Sequence, residues 1–288
     1  MTSRTILIMA GGTGGHIFPA LAVAGYLRDH GWRVVWLGTR GGMEARLVPS
    51  HGYEMEWIRF AGVRRSGWLR AALFPLLLII AWFQSAAVIF RHRPDVVLGM
   101  GGFASFPGGM MASLFFKPLV IHEQNSIAGL ANRVLALLAD KVLVAFPDPF
   151  LPRDEGGGRS AEKPSGFSLS SLIPRPSSPE VVGNPVRPEI AALPRPEARF
   201  AGRSGRLRLL VVGGSLGAQA LNAVVPEALK GLPEPERPGV VHQAGVQHFE
   251  AVKAAYAEAG VMAEVLPFLD DMAARYDACD VVLCRAGA

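Results

Sequence analysis

The chain has 288 residues, half of them hydrophobic and 18% charged, enough apolar material for one large or two medium cores and too much for a globally disordered chain. Its formal net charge of +5 and sequence pI near 9.6 invite an anionic partner, a nucleic acid or a membrane surface. No zinc spacing, helix-turn-helix signature or aromatic–basic RNA motif is present, which argues against nucleic acid; two cysteines, Cys279 and Cys284, are too few for a structural zinc site and suit a reducing compartment.

The first predicted element is an apolar run, Thr5 to Ala10, read as a buried parallel strand. It is too short for a secretory signal and lacks a cleavage pattern. Gly11, Gly12, Thr13, Gly14, Gly15 and His16 follow, then an amphipathic helix from about Ile17 to His30. Glycines let the backbone turn sharply and approach a ligand, and a helix start presents free N–H groups that favour a phosphate. A tight turn without ligand is the alternative, but it leaves a titratable imidazole at the mouth of such a cradle unexplained. Further strands are expected at Arg33–Leu37, Glu54–Ile58, Asp95–Leu98, Pro118–Ile121 and Lys141–Val144, with helices at Met43–Val48, from Phe106, and at Ala128–Leu138. Gly99-Met100-Gly101-Gly102-Phe103 and His122-Glu123-Gln124-Asn125 end two of these strands. Such alternation predicts βαβ units around a parallel sheet, which binds ligands at the carboxyl ends of its strands.

One stretch departs from the pattern. Ala71 to Phe90, AALFPLLLIIAWFQSAAVIF, is uncharged and flanked by Arg64, Arg65 and Arg70 before and Arg91, His92 and Arg93 after. It is long enough to span a bilayer, but a span would divide one sheet across a membrane. A purely buried helix should show a polar side. The favoured reading is a helix that packs inward and also offers Leu, Ile, Trp82 and Phe83 to a membrane, its arginines holding anionic lipid heads.

Leu151 to Pro179 is rich in Gly, Ser and Pro and reads as a flexible insert. Glu180–Arg187 then reads as a short strand with a Pro-stiffened turn, and the opening pattern returns: strand Leu207–Val212, Gly213-Gly214-Ser215-Leu216-Gly217, and a helix from about Ala218 to Leu229. Alternation continues through Gly239–Gln243, Val246–Ala259, Glu264–Pro267, Asp270–Tyr276 and Val281–Leu283. The expected division is a domain over 1–150, a linker over 151–179 and a second domain over 180–288, with a cleft between two phosphate-friendly turns. Because no covering helix follows the last strand, the second half is expected to be incomplete.

GGTGGHIFPALAVA (Gly11–Ala24), WLGT (Trp36–Thr39), RPDVVLGMGGF (Arg93–Phe103), HEQNSIAGLANR (His122–Arg133), VVGNPVR (Val181–Arg187), VVGGSLGAQALN (Val211–Asn222), AYAEAG (Ala255–Gly260) and DDMAARYDACDVVLCRAGA (Asp270–Ala288) together resemble the MurG family of bacterial glycosyltransferases. The resemblance implies an α/β, GT-B architecture of two Rossmann-like domains with parallel sheets facing a cleft. It implies transfer of GlcNAc from UDP-GlcNAc to lipid I, with inversion, at the cytoplasmic face of the cell membrane. It further implies donor contacts at Thr13, Gly14, Gly15, Asn125, Arg187, Ser215 and the main chain near Leu269, and an acceptor-diphosphate cradle at Gly99, Gly101 and Gly102. His16 becomes the candidate general base, because imidazole titrates near neutral pH, with capping the helix or holding a phosphate as its alternatives; Glu123 is a helper or alternative base, or else a structural residue of the turn. No metal is expected, since Asp270-Asp271 reads as a helix cap rather than a metal-holding pair. Leu216 departs from the family's usual polar residue, the 151–179 insert is long, and a donor-binding segment of the family lies beyond Ala288, so this chain alone is expected to bind donor weakly. A dinucleotide-dependent oxidoreductase competes, but the first turn lacks GxGxxG spacing and Gly38, Thr39 and Arg40 follow the second strand where an acidic residue is needed. A non-catalytic membrane-binding module would leave His16 and His122–Asn125 without a role.

Overall fold

The structure is a computed structural model that describes residues 3–60, 68–151, 179–214 and 217–285, with the backbone alone for 68–72. It comprises two compact units, one running to Val186 and the other starting at Arg187.

Unit 1 is a seven-stranded sheet of β1 (Thr5–Met9), β2 (Arg33–Gly38), β3 (Glu54–Trp57), β4 (Val96–Gly99), β5 (Leu119–Glu123), β6 (Lys141–Val144) and β7 (Glu180–Val181), in the order β3-β2-β1-β4-β5-β6-β7. Every pairing is parallel. Its helices are α1 (Gly14–Asp29), α2 (Glu44–Ser50), α3 (Trp68–His92), α4 (Ser105–Leu114) and α5 (Leu130–Leu135). Successive strand residues point to opposite faces, and both faces are covered, so the central strands are apolar throughout. Ile6, Ile8, Val34 and Trp36 pack with Ile17, Ala20, Leu21 and Ala24 of α1. Leu7, Met9, Val35 and Leu37 pack with Ala81, Val88 and Ile89 of α3 and Ala112 of α4. The strand order reverses between β1 and β4, and the loops leaving these two strands open a crevice where ligands of doubly wound sheets bind.

The Ala71–Phe90 stretch lies within α3, which starts at Trp68 and ends at His92. Ala81, Ser85, Val88 and Ile89 form its buried side, whereas Leu76, Ile79, Phe83 and Phe90 form an exposed stripe, Phe83 being 74% accessible. The purely buried reading therefore fails, since one side is apolar and faces out. By length and composition the Leu73–His92 portion could cross a membrane, but its inward side belongs to the core of unit 1. Arg64 and Arg65 lie outside the described residues, as does the Arg70 side chain. Arg91 donates to Glu56 at 2.8 Å and His92 Nε2 lies 2.6 Å from the same carboxylate. Burial alone would raise the Glu56 pKa, but hydrogen bonds from His92 and Arg91 outweigh it and hold the carboxyl below its ordinary range.

Unit 2 contains α6 (Pro188–Ala191), α7 (Pro196–Phe200), β8 (Arg208–Val212), α8 (Gln219–Lys230), β9 (Gly239–Gln243), α9 (Phe249–Glu258), β10 (Ala263–Leu266), α10 (Met272–Ala278) and β11 (Val281–Cys284). Its four strands are parallel in the order β10-β9-β8-β11, again reversing beside the first strand of the unit. Val211, Val225, Leu229, Val240, Val252 and Tyr256 make its main core.

The structure moves one boundary. Glu180–Val181 pairs with Leu143–Val144 and Lys141 meets Glu180 at 2.8 Å, so residues 180–186 belong to unit 1 rather than to a second domain starting at 180. Helices α6 and α7 were not expected from the sequence; each opens on proline, whose fixed φ suits a first helical turn. Of the expected 151–179 insert, residues 152–178 lie outside the described residues.

Candidate active site

Three loops of unit 1 meet at the carboxyl ends of β1, β4 and β5. The first turn is anchored on both sides. Gly11 N–H donates to the Gly101 carbonyl at 3.3 Å, and Gly12 N–H donates to Glu44 Oε2 at 3.0 Å. Glu44 is 1% exposed, and its other oxygen accepts from the Thr39 N–H and hydroxyl at 3.0 and 2.7 Å. A Cβ on Gly42 would fall 2.0 Å from this carboxylate, and one on Gly11 2.7 Å from it. Glu44 therefore needs its glycine neighbours, and it holds the turn open toward solvent. Sequence reading missed it, because an acidic residue opening a short helix looks like a solvated cap.

Helix α1 begins at Gly14, three residues earlier than expected, so His16 stands in its first turn. Thr13 is the N-cap residue, but its side chain makes no cap hydrogen bond, and the first turn holds no acidic residue. The first turn of the helix thus has no side-chain cap of its own, and Gly12, Thr13 and Gly15 are exposed. The β4–α4 loop packs directly on this turn. Gly101 (φ +95°) lies against the His16 ring, where a Cβ would come within 2.7 Å of Nδ1. Gly102 (φ +90°) lies on the Gly11 backbone, where a Cβ would come within 2.3 Å of the carbonyl oxygen. Gly99 is buried at the strand end against Ile121.

The His122–Asn125 stretch completes the group. His16 Nδ1 lies 2.9 Å from Gln124 Oε1. Glu123 is fully buried; Oε1 accepts from the Asn125 N–H and side-chain amide at 2.9 and 2.8 Å, and Oε2 accepts from Gly129 N–H and Asn132 Nδ2 at 3.1 and 2.9 Å. Four donors thus occupy this carboxylate, two of them from Asn125. The structure thus brings together Thr13, Gly14, Gly15, His16, Gly99, Gly101, Gly102, Glu123 and Asn125, all in unit 1.

In unit 2 the second glycine turn follows β8. Gly213 N–H donates to the Gln243 carbonyl at 3.2 Å. Gly217 (φ +77°) packs so closely that a Cβ would meet the Ala244 oxygen at 2.1 Å. Ser215 and Leu216, at the tip, lie outside the described residues. Asn222 of α8 braces the base of the turn by donating to the Ala244 carbonyl at 3.0 Å. Its oxygen lies 3.1 Å from His242 Nε2, and His242 Nδ1 lies 2.9 Å from the Tyr256 hydroxyl. Arg187 occupies the N-cap position of α6 without a side-chain cap hydrogen bond, its Nε 3.6 Å from a Glu189 oxygen. Leu269 is 3% exposed and packs with Leu210 and Cys279. Asp271 occupies the N-cap position of α10 without a cap hydrogen bond; its carboxylate instead accepts from Arg275 Nε at 3.0 Å.

Burial pushes the His242 imidazole down to about 4. The unfolded chain then binds a proton that the folded one refuses between pH 6.5 and 4. Unit 2 should hold its full stability above pH 6.5 and lose about 3 kcal/mol as the pH falls through that window. Urea unfolding at pH 7 and 4.5 checks this: the His242→Gln variant should lack the slope, and an equal slope in both chains would refute the assignment.

Residues 6–144 match the glycosyltransferase family 28 N-terminal domain and residues 208–288 its C-terminal domain. The chain is 56% identical over 286 residues to the UDP-N-acetylglucosamine--N-acetylmuramyl-(pentapeptide) pyrophosphoryl-undecaprenol N-acetylglucosamine transferase of Nitrosospira multiformis, covering 99% of this chain and 74% of that protein. It is also 56% identical, over 288 residues, to the protein of the same name from Cupriavidus metallidurans, covering 100% of this chain and 74% of that one. Among solved structures it is similar to Acinetobacter baumannii MurG, with a TM-score of 0.69 and 36% identity over 99% of this chain and 74% of that one. Its two parallel α/β units are those of a GT-B glycosyltransferase. With this identity across almost its whole length, the chain belongs to the UDP-N-acetylglucosamine--N-acetylmuramyl-(pentapeptide) pyrophosphoryl-undecaprenol N-acetylglucosamine transferase family, within glycosyltransferase family 28.

Proposed function

We propose that this chain transfers GlcNAc from UDP-GlcNAc to the MurNAc sugar of lipid I, forming a β-1,4 bond in the synthesis of peptidoglycan. The observation that carries this reading is the placement of His16: an imidazole in the first turn of an uncapped helix, at the strand-order reversal of a family 28 N-terminal domain. His16 is assigned as the base that takes the proton of the MurNAc hydroxyl. The freed oxygen attacks the anomeric carbon on the face opposite UDP, which inverts that centre, and UDP departs with the electrons of the broken bond. Positive charge and N–H donors must stabilise the leaving diphosphate. That role is assigned to Thr13, Gly14 and Gly15, to Arg187 and to Ser215, with no metal required by the scheme. Asn125 is oriented by Glu123 to hydrogen-bond GlcNAc, the main chain at Leu269 holds the uracil, and Gly99, Gly101 and Gly102 cradle the acceptor diphosphate.

Transfer of labelled GlcNAc to a lipid I analogue tests the reading, beside thermal shifts with UDP-GlcNAc and with NAD. UDP-GlcNAc should stabilise the chain and NAD should not. Stabilisation by NAD alone, with no sugar transferred, would revive the dinucleotide reading.

The acceptor is an undecaprenyl lipid, and we assign the protein to the cytoplasmic face of the cell membrane as a peripheral enzyme. The exposed stripe of α3 supports this, together with Leu114 and Phe116, the latter 94% accessible. Beside it a groove of about 410 Å³ is lined by Ile89, Phe90, Phe115 and Phe116, with Arg93 and Lys117 at its edge. Apolar residues ringed by cations fit an anionic bilayer surface. Phe83→Ser with Phe116→Ser should weaken binding to phosphatidylglycerol vesicles by about 10–100-fold, since two rings half-inserted into the bilayer surface contribute about half of the roughly 1.5–3 kcal/mol that each would give fully buried. If the unaltered chain ignored such vesicles at low salt, this assignment would fall.

A further inference from the structure

We propose that Gln124 is a positioning residue that fixes the tautomer of His16, so that the lone pair stands at Nε2 and the proton at Nδ1. The inference rests on the reading of His16 as the base and adds how that base is prepared. The direction of each hydrogen bond follows from the next. His122 Nε2 faces the Gly183 carbonyl at 3.0 Å. A carbonyl can only accept, so Nε2 carries the hydrogen. Burial lowers the His122 pKa, outweighing the opposing pull of the Gly183 bond and of Glu123, so the ring is neutral and its Nδ1 bears a lone pair. Gln124 Nε2 lies 3.1 Å from that Nδ1 and 3.1 Å from the His122 carbonyl oxygen. Both are acceptors, and a reversed amide would set oxygen against oxygen, so the amide nitrogen must sit there. Gln124 Oε1 is left to face His16 Nδ1 at 2.9 Å. An amide oxygen accepts, so Nδ1 of His16 donates, and the neutral imidazole keeps its lone pair on Nε2.

The chain of bonds therefore runs from Gly183 through His122 and Gln124 to His16. Gln124 is 5% exposed and His122 2%, so water does not compete for these bonds as it does at the surface. A second bond pins the Gln124 main chain, whose carbonyl accepts from Asn184 Nδ2 at 3.2 Å. Residues 183 and 184, just ahead of the unit boundary, thus hold the far end of the device. When His16 takes the acceptor proton at Nε2, the Nδ1–H to Oε1 bond becomes charge-assisted and stabilises the imidazolium. Without an acceptor at position 124, the proton of the neutral ring is free to sit on either nitrogen.

The test is a two-bond proton–nitrogen spectrum of the 288-residue chain labelled with nitrogen-15 histidine, without substrate, with His16→Gln to assign the signal. In the unaltered chain His16 should show a protonated Nδ1 and an unprotonated Nε2, and His122 the reverse. Gln124→Met should return His16 to a mixture and lower kcat by about 10–100-fold, the scale seen when the partner that orients a metal-bound imidazole is removed, with KM for UDP-GlcNAc within about twofold. Thermal unfolding of Gln124→Met beside the unaltered chain separates loss of the bond from loss of folding. A protonated Nε2 in the unaltered chain, or an unchanged Nδ1–H form in Gln124→Met, would overturn the proposal. Because the spectrum is read without turnover, it stands apart from whether His16 is the base.

Discussion

Transfer by His16→Ala is expected to fall by about 10²–10⁴-fold in kcat, the usual contribution of a positioned general base. The expectation comes from what surrounds the ring. Gly101 packs within contact of one edge, Gln124 occupies Nδ1, and the remaining nitrogen is the group that can reach a hydroxyl proton. His16 makes few structural bonds, so its loss should cost about 1 kcal/mol of stability, one neutral hydrogen bond. KM for UDP-GlcNAc should move little, since the proton is taken only as the new bond forms. Steady-state transfer to a lipid I analogue, beside thermal unfolding of the same variant, separates chemistry from folding. A kcat within threefold of the unaltered chain would remove His16 from the mechanism.

Gly102→Ala is expected to destabilise unit 1 by about 3–5 kcal/mol, a large part of the roughly 5–15 kcal/mol that holds a domain folded. Two costs add. At φ +90° an L side chain is strained, and the new Cβ would stand 2.3 Å from the Gly11 oxygen and 2.8 Å from its carbon and nitrogen. Those are backbone atoms, and the turn cannot retreat, because Gly11 is bonded to Gly101 and Gly12 to the buried Glu44. Gly129 is the control: its φ is −66° and a Cβ there meets nothing within 4 Å. Gly129→Ala should change stability by less than about 1 kcal/mol, as surface substitutions do. Urea unfolding followed by circular dichroism measures both. Equal stability of the two variants would show that the two glycine turns do not bear on each other.

Much of the frame was legible before any coordinates. Apolar runs of four to six residues between glycine turns can only be buried parallel strands when helices alternate with them, and most strands lie within a residue of where they were expected. Helix ends were less legible. The expected start at Ile17 misses because glycines read as turn, whereas Gly14 and Gly15 form the first turn of α1. The pairing of Glu180–Val181 with β6 was out of reach, because two residues carry no periodicity.

The sequence by itself determined that two glycine-rich strand–helix turns recur in one chain, that His16 and His122–Asn125 stand at strand ends, and that Ala71–Phe90 is uncharged throughout. These follow from local rules: residue type sets backbone freedom, and hydropathy sets burial. Only the tertiary structure decided that Glu44 grips the first turn and that Gln124 reaches His16. Such bonds join residues 32 and 108 positions apart. Their partners are chosen by which loops the strand order sets side by side, and that choice leaves no periodic trace along the chain.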